Sequence, residues 1–168
     1  MFRDELIIQA SEILDVYKAK GLKLSCAESC TGGLLAALFT EISGSSTVFE
    51  GGFVTYSNTM KHHILGVSAE ALENFGAVSE QVALEMAERC RQKTSADIAV
   101  GITGIAGPTG GTADKPVGLV YIGISTENHA QVERHLYQGN RTEVRVQALK
   151  SALILIKSVL TTSFVSSA

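Results

Sequence analysis

The chain has 168 residues and a net charge of −3, with 45% hydrophobic and 18% charged residues. This composition is typical of a globular domain and excludes a disordered chain, and no apolar run reaches the roughly 18 residues that a membrane-spanning helix needs. The acidic, amphipathic start is unlike a secretory signal, and the charge offers no basic face for nucleic acid. We therefore expect a single domain over residues 1–168 in a cytoplasmic protein, with no nucleic-acid or membrane partner.

Apolar periodicity and turn residues predict helices that alternate with strands. The expected elements, in chain order, are a helix at 3–20 ending at Gly21, a strand at 22–28, a helix at 31–42, a strand at 53–57, short helices from 58 and at 68–75, a helix at 80–93, a strand at 96–104, a glycine-rich loop at 105–116, strands at 117–126 and 130–139, and a helix from 140 to about 160 before a frayed tail at 161–168. The expected N-caps are Asn58, Ser68, Ser79 and Asn140. This order predicts an α/β fold, a three-layer α/β/α sandwich with a mixed, mostly parallel sheet of about five strands.

Three of the predicted strands end in segments rich in hydroxyls or glycines. These ends read AESCTGG at 27–33, TYSNTMK at 55–61 and GITGIAGPTGG at 101–111. Ligands of parallel α/β sheets bind beyond the carboxyl ends of the strands. The sequence therefore predicts one site where the three ends converge.

The first strand end precedes a helix that we expect to begin at Cys30 or Thr31. Its first N–H groups are then free, and Gly32 and Gly33 leave the backbone exposed to an anion or an oxyanion. The alternative is structural: Ser29 or Thr31 only caps the helix. The cysteines number three and lack zinc spacing, so we interpret them as reduced structural thiols.

The second strand end carries a candidate base. Lys61 lies about one turn into the short helix, from where its amine can swing back over Tyr56, Ser57 and Asn58. Burial there would lower its pKa and make it a plausible base for a serine, whereas a solvated lysine is the alternative. The adjacent histidines lack partners at ligand spacing, so no metal site is expected.

The glycine-rich loop and the last helix offer groups for an anion. The loop matches neither a Walker A motif nor GxGxxG, but its N–H groups can face a phosphate or carbonyl, with Thr103 as a hydroxyl donor. A plain mobile loop is the alternative. Arg141 and Arg145 lie four apart on one helix face, where they grip a phosphate or are simply solvated.

Four motifs in this order resemble one known family over residues 5 to 160. They are AESCTGG, the GSS…F…GGFVTYSN…K run, GAVSE…MAE and GIAGPTGG…KPVG, and together they resemble the C-terminal domain of the competence/damage-inducible protein CinA. Stand-alone versions of that domain are nicotinamide-nucleotide amidohydrolases. The resemblance implies hydrolysis of the carboxamide of nicotinamide mononucleotide (NMN) to nicotinate mononucleotide and ammonia, in NAD recycling. It also implies a Ser/Lys pair and no metal or cofactor.

The resemblance assigns residues to roles. Lys61 is the base, and Ser29 is the expected nucleophile by topology. Ser46 matches a family serine in GSS and stays an alternative, although it precedes strand two and falls at the far end of the sheet unless the segment wraps round or reaches a neighbouring subunit. Tyr56 and Thr103 complete the catalytic set. The expected substrate-binding residues are Thr31, Gly32, Gly33, Asn58, Gly104, Gly107, Arg141 and Arg145.

Composition and family habit also lead us to expect a homo-oligomer. Two other functions remain open at this point. One is a non-catalytic nucleotide-binding module of a CinA-type protein, and the other is an amidase for a different small carboxamide.

Overall fold

The computed structural model describes residues 2–163, and within them the chain alternates helices with strands. The helices are α1 (Asp4–Lys20), α2 (Leu34–Thr40), α3 (Asn58–Met60), α4 (Ala69–Phe75), α5 (Glu80–Thr94) and α6 (Arg141–Ser163), with a 3₁₀ turn at Ser45–Thr47 and a π-helical turn at Lys61–Leu65. The strands are β1 (Leu24–Glu28), β2 (Phe49–Val54), β3 (Ile98–Gly104), β4 (Leu119–Ser125) and β5 (Ala130–Leu136). In this part of the chain, no helix is both long and apolar enough to cross a membrane.

The five strands form one mixed sheet in the order β2-β1-β3-β4-β5. β1 is parallel to both β2 and β3, while β4 is antiparallel to its neighbours β3 and β5. Four strands therefore run in one direction and β4 runs in the other. The predicted mixed, mostly parallel sheet of five strands is confirmed.

Helices cover both faces of this sheet, which confirms the three-layer sandwich. On one face α1, α2 and α6 pack around a core that includes Tyr17, Phe39 and Leu149. On the other face α5 packs its Met86 and Cys90, together with the π-helical turn and α4. The sheet is thus buried from both sides, as expected for parallel strands that are joined by helices.

Two glycines allow α5 to approach the sheet closely. Gly101 of β3 is paired with Gly123 of β4. A Cβ atom on either residue would lie 2.5 Å from the carbonyl oxygen of Ala83 in α5. The α5 backbone therefore rests directly on the strands, and this contact fixes the turn that precedes α5 relative to the end of β3.

Most predicted caps are confirmed. Ser68 and Ser79 accept hydrogen bonds from the N–H groups of Ala71 and Val82, and the Asn140 side chain accepts two bonds at the start of α6. Gly21 ends α1 with a φ of 67°, a left-handed conformation that glycine adopts without strain.

Differences from the predicted element boundaries include those at the second strand, at α3 and at the last helix. The second strand is Phe49–Val54 rather than 53–57. Its pairing with β1 begins at Phe49, before Gly51 and Gly52, and these glycines weaken the strand pattern in the sequence. Ser57, not Asn58, caps α3 by accepting a bond from Met60 N. The last helix continues to Ser163, three residues past the expected end, and the rest of the predicted frayed tail, 164–168, lies outside the described residues.

Candidate active site

A cavity of about 230 Å³ lies at the carboxyl edge of the sheet, where β1, β2 and β3 end. The residues around it come from all three predicted strand ends, from the turn between α4 and α5, and from the start of α6. They are Ser29, Cys30, Tyr56, Asn58, Lys61, Ala77, Val78, Thr103, Gly104, Ile105, Ala106, Gly107, Thr109, Gly110 and Arg141.

A hydrogen-bonded serine and lysine lie in this cavity. Ser29 follows the last residue of β1, and its N–H donates to Ile102 O of β3 at 2.9 Å, which holds the turn against the sheet. The Lys61 ammonium donates to Ser29 Oγ at 2.8 Å. The same Nζ donates to the Thr55 carbonyl at 2.9 Å and approaches the Tyr56 carbonyl at 3.4 Å.

The short helical segment after β2 delivers the Lys61 side chain. Ser57 Oγ accepts from Met60 N at 3.2 Å and starts the segment. The backbone then widens into a π-helical turn, in which Gly66 and Val67 both donate to the Lys61 carbonyl. Such widened turns occur often at functional sites, and here the turn carries the lysine inward.

Burial sets the charge state of this lysine. Lys61 is only 1% exposed, and burial lowers the pKa of its amine to about 8. Among residues 2–163, no carboxylate forms an ion pair with it. Roughly a tenth of the amine is then neutral at pH 7, so the pair can move a proton from Ser29 Oγ to Lys61 Nζ.

The Cys30 thiol borders the same cavity but is not ionised at neutral pH. Burial raises its pKa to about 11. All three cysteines are free and buried. Lys61 Nζ is hydrogen-bonded to Ser29 Oγ and, within the described chain, not to this thiol. The serine is therefore the neighbour that is placed to pass its proton to Lys61.

Glu28 occupies the anion site that the sequence predicts at the start of the following helix. The helix begins at Leu34, later than expected. The Glu28 carboxylate accepts hydrogen bonds from the N–H groups of Gly33, Leu35 and Ala36 at 2.9–3.1 Å. These donors are satisfied inside the protein and are closed to a substrate.

Thr31, Gly32 and Gly33 therefore do not line the cavity. Thr31 is fully buried, and Gly32 N donates to Ser29 O. The structure does not bring these three residues to the cavity, because the chain supplies its own carboxylate to the N–H groups at the helix start. That role of Glu28 could have been read from an acid placed just before a helix start.

The two arginines of α6 have different surroundings. Arg141 borders the cavity, where it donates to Gly107 O at 2.9 Å and to the Tyr56 hydroxyl at 3.1 Å. Arg145 instead donates to Thr31 O at 2.7 Å, behind the turn. The structure thus brings Arg141 to the cavity and directs Arg145 away from it.

The other predicted residues that reach the cavity form its walls. Thr103 Oγ1 donates to Ala77 O at 2.7 Å, which joins the end of β3 to the turn before α5. Tyr56 is 62% exposed at the mouth. Asn58, Gly104 and Gly107 also line the cavity. Ala77 and Val78 form a further part of the wall. They lie within the GAVSE motif of the family resemblance, but they were not predicted as site residues, since both side chains are small and apolar.

Ser46 lies elsewhere. It is exposed in the 3₁₀ turn at Ser45–Thr47, just before β2 begins, and the segment does not wrap round the sheet. Ser29 follows the carboxyl end of β1, whereas Leu24 at the start of β1 pairs with Phe49. Five residues of strand separate these two ends by roughly 17 Å, which argues against Ser46 as the nucleophile within one chain.

A larger groove of about 600 Å³ runs between α1 and α6 and includes Phe2, Leu6 and Val146. Among the residues that line this groove in the described chain, no hydroxyl is hydrogen-bonded to a lysine amine. In residues 2–163, no three His, Cys, Asp or Glu side chains converge as metal ligands. By size alone the groove would be the better candidate for a ligand site, but the hydrogen-bonded Ser29 and Lys61 lie in the smaller cavity.

Comparison with known proteins assigns the chain to a family. The model of the CinA C-terminal domain matches residues 8–160, and the chain belongs to this family. The nicotinamide-nucleotide amidohydrolase PncC of Enterobacter agglomerans is 51% identical over 138 residues, which cover 82% of this chain and 84% of that protein.

Other relatives are longer. A CinA-like protein of Syntrophobacter fumaroxidans is 49% identical over 144 residues, which cover 86% of this chain but 34% of that protein. The chain spans about a third of the length of several curated relatives that it matches.

Solved structures show the same fold. The competence/damage inducible protein CihA of Agrobacterium tumefaciens has a TM-score of 0.92 and 43% identity, and the match covers 95% of this chain and 98% of that one. A CinA superfamily protein of Escherichia coli has a TM-score of 0.89 and 32% identity, covering 95% of this chain and 94% of that one.

Proposed function

We propose that the chain hydrolyses the carboxamide of NMN to nicotinate mononucleotide and ammonia through a metal-free Ser29/Lys61 mechanism, as a step in NAD recycling. The observation that carries the proposal is the 2.8 Å hydrogen bond between Ser29 Oγ and a buried Lys61 whose pKa is about 8. The PncC relative, named as a nicotinamide-nucleotide amidohydrolase, supports the choice of substrate.

The acylation step uses neutral Lys61 as the base. Lys61 Nζ takes the Ser29 hydroxyl proton while Oγ attacks the amide carbon, and the carbonyl oxygen becomes an oxyanion. When the tetrahedral intermediate collapses, the C–N bond breaks and Lys61 returns the proton to the leaving nitrogen. Ammonia departs, and a nicotinoyl ester remains on Ser29.

The deacylation step repeats the same proton transfers with water. Lys61 removes a proton from a water molecule that attacks the ester carbon, and then returns a proton to Ser29 Oγ as the ester bond breaks. Nicotinate mononucleotide is released, and the Ser29 hydroxyl is regenerated.

The oxyanion needs donors close to the serine. The N–H of Cys30, the residue after the nucleophile, donates to no other residue within the described chain and is our candidate. Thr103 already donates its hydroxyl proton to Ala77 O, so its oxygen is left to accept from the substrate's amide nitrogen. Together the two groups would orient the carboxamide over Ser29.

The cavity size suggests how the nucleotide lies. Its volume of about 230 Å³ is below the roughly 300–1,000 Å³ of pockets that bury drug-sized ligands. We therefore place the pyridine ring inside and the ribose phosphate at the mouth. There Arg141, with the glycine-rich loop, would face the phosphate.

The test is turnover of NMN by the purified protein, measured as ammonia release and nicotinate mononucleotide formation with EDTA present. We expect turnover that EDTA does not reduce. No turnover would favour a non-catalytic nucleotide-binding module, and turnover of another carboxamide alone would make the chain a different amidase. Loss of activity with EDTA would contradict the metal-free mechanism.

A further inference from the structure

Two separate segments contribute residues to the lining of the cavity. One is the glycine loop, defined here as residues 104–110, and the other is the α4–α5 turn, defined as residues 76–78. At the base of the cavity, Thr103 Oγ1 joins the end of β3 to Ala77 O. A second contact joins the chain that follows the glycine loop to the end of α4.

Lys115 makes that contact. Its Nζ donates to the carbonyl oxygen of Phe75, the last residue of α4, at 2.5 Å. A cation at a helix C-terminus is favoured because the last carbonyl groups have no partner in the helix. A Cβ atom on Gly76 would come within 3.0 Å of the same Nζ, so the turn leaves room for the ammonium.

The chain holds Lys115 in place on the loop side. Thr112 N donates to Lys115 O at 2.8 Å, and Lys115 N donates to Thr112 Oγ1 at 3.0 Å. Val117 packs closely on Gly107 and Gly111. The position of Lys115 is thereby coupled to Gly107 in the wall of the cavity.

The glycine loop is thus fastened on two sides. Arg141 holds Gly107 O from the α6 side, and Lys115 holds Phe75 O from the α4 side. In the described chain, the Lys115 bond is the one side-chain hydrogen bond that joins residues 104–118 to the end of α4 or the α4–α5 turn. Lys115 itself does not line the cavity.

We propose that Lys115 is a positioning residue that sets the width of the cavity mouth, and so the affinity for the nucleotide, by fastening the glycine loop to the end of α4. This inference rests on the proposed amide hydrolysis. Lys115 acts through the loop and does not touch the reacting atoms, so its loss weakens substrate binding and leaves the chemical step intact.

The experiment compares Lys115→Met, Lys115→Arg and the control Lys20→Met, which removes a lysine at the end of α1. Losing a hydrogen bond from a charged group should raise KM for NMN about tenfold in Lys115→Met, with kcat within about twofold of wild type. Lys115→Arg keeps the charge and the donors and should restore KM, and Lys20→Met should leave both constants unchanged.

Hydrogen exchange gives a readout that does not depend on turnover. Backbone amides of residues 105–112 should exchange faster in Lys115→Met than in wild type, Lys115→Arg or Lys20→Met, at equal global stability by urea unfolding. In an active enzyme, unchanged exchange would overturn the proposal, as would a fall in kcat at constant KM. If wild type does not turn over NMN but the loop still exchanges faster in Lys115→Met, the proposed function is refuted. The role of Lys115 in fastening the loop is then still supported.

Discussion

Lys61 is 1% exposed, and its ammonium is surrounded by one hydroxyl and two backbone carbonyls rather than by a carboxylate. Desolvation disfavours the charged amine, and the carbonyl groups compensate for only part of that cost. The amine is therefore easier to deprotonate than a surface lysine, which is what a base for serine requires.

This lysine predicts the pH dependence of the reaction. Its pKa is lowered from 10.5 to about 8, and the neutral amine is the active form. The value of kcat/KM for NMN should rise about tenfold per pH unit below pH 7 and level off above about pH 8. Initial rates between pH 6 and 9.5 check this, and a profile that is flat, or that falls as the pH rises through 8, would contradict the role of Lys61.

Arg141 and Arg145 are a matched pair, because one borders the cavity and the other lies behind it. Arg141→Gln should lower the preference for NMN over nicotinamide riboside, which lacks the phosphate, by about tenfold in kcat/KM. Arg145→Gln should leave that preference unchanged. Kinetics with both substrates measure the ratio, and an equal loss in the two variants would argue against a phosphate contact by Arg141.

At the residue scale, the strand ends predict that Ser29 and Lys61 lie at one edge of the sheet, and the family resemblance pairs them as nucleophile and base. Neither predicts which group the helix N–H groups bind. Parallel strands end at the same edge of the sheet. Their direction was therefore enough to predict that Ser29, Tyr56 and Thr103 lie at one edge. Whether a neighbouring carboxylate turns inward depends on side-chain geometry within a five-residue turn. Glu28 turns inward here, and it closes the anion site expected at Gly32 and Gly33.

At the element scale, Glu28 links β1 to α2. Its carboxylate accepts three N–H groups at the start of the helix, and Cys26 Sγ lies 3.6 Å from it. The turn between these elements carries Ser29, so this buried anion also steadies the proposed nucleophile.

Glu28→Gln should destabilise the protein, because the amide nitrogen would face N–H donors and remove one acceptor. Buried hydrogen bonds to a charged group are worth roughly 1.5–3 kcal/mol, so we expect a loss of about 2 kcal/mol in the free energy of unfolding. Urea unfolding measures it. Glu41→Gln, at the exposed C-terminal end of α2, is the control and should be neutral; equal stability of the two variants would contradict the capping role.

The start of β2 shows why the first and last residues of a strand were harder to predict than the presence of the strand. Gly51 and Gly52 weaken the strand pattern in sequence, yet Gly52 sits where a Cβ would be 2.9 Å from Cys26 Sγ and 3.3 Å from Ala36 Cβ. Close packing of α2 on the sheet requires a glycine there. Such a tertiary requirement is invisible to local propensity.

At the scale of the whole molecule, the alternation of helices and strands was enough to predict the sandwich and the sheet edge at which the candidate cavity lies. Right-handed parallel connections leave few alternatives for such an order. The same reasoning placed Ser46 at the opposite edge, and the exposed 3₁₀ turn lies there. The wall from the α4–α5 turn could not be predicted, because it depends on how the short helix α4 packs against α5.

The central claim is that Ser29, activated by Lys61, attacks the amide of the nucleotide. The most direct test measures NMN turnover by wild type, Ser29→Ala and Ser46→Ala side by side, with folding of each variant checked by urea unfolding. We predict that Ser29→Ala lowers kcat by at least about a thousandfold, while Ser46→Ala stays within about threefold of wild type, as expected for an exposed residue away from the cavity. Near-normal turnover by Ser29→Ala together with loss of activity in Ser46→Ala would contradict the account.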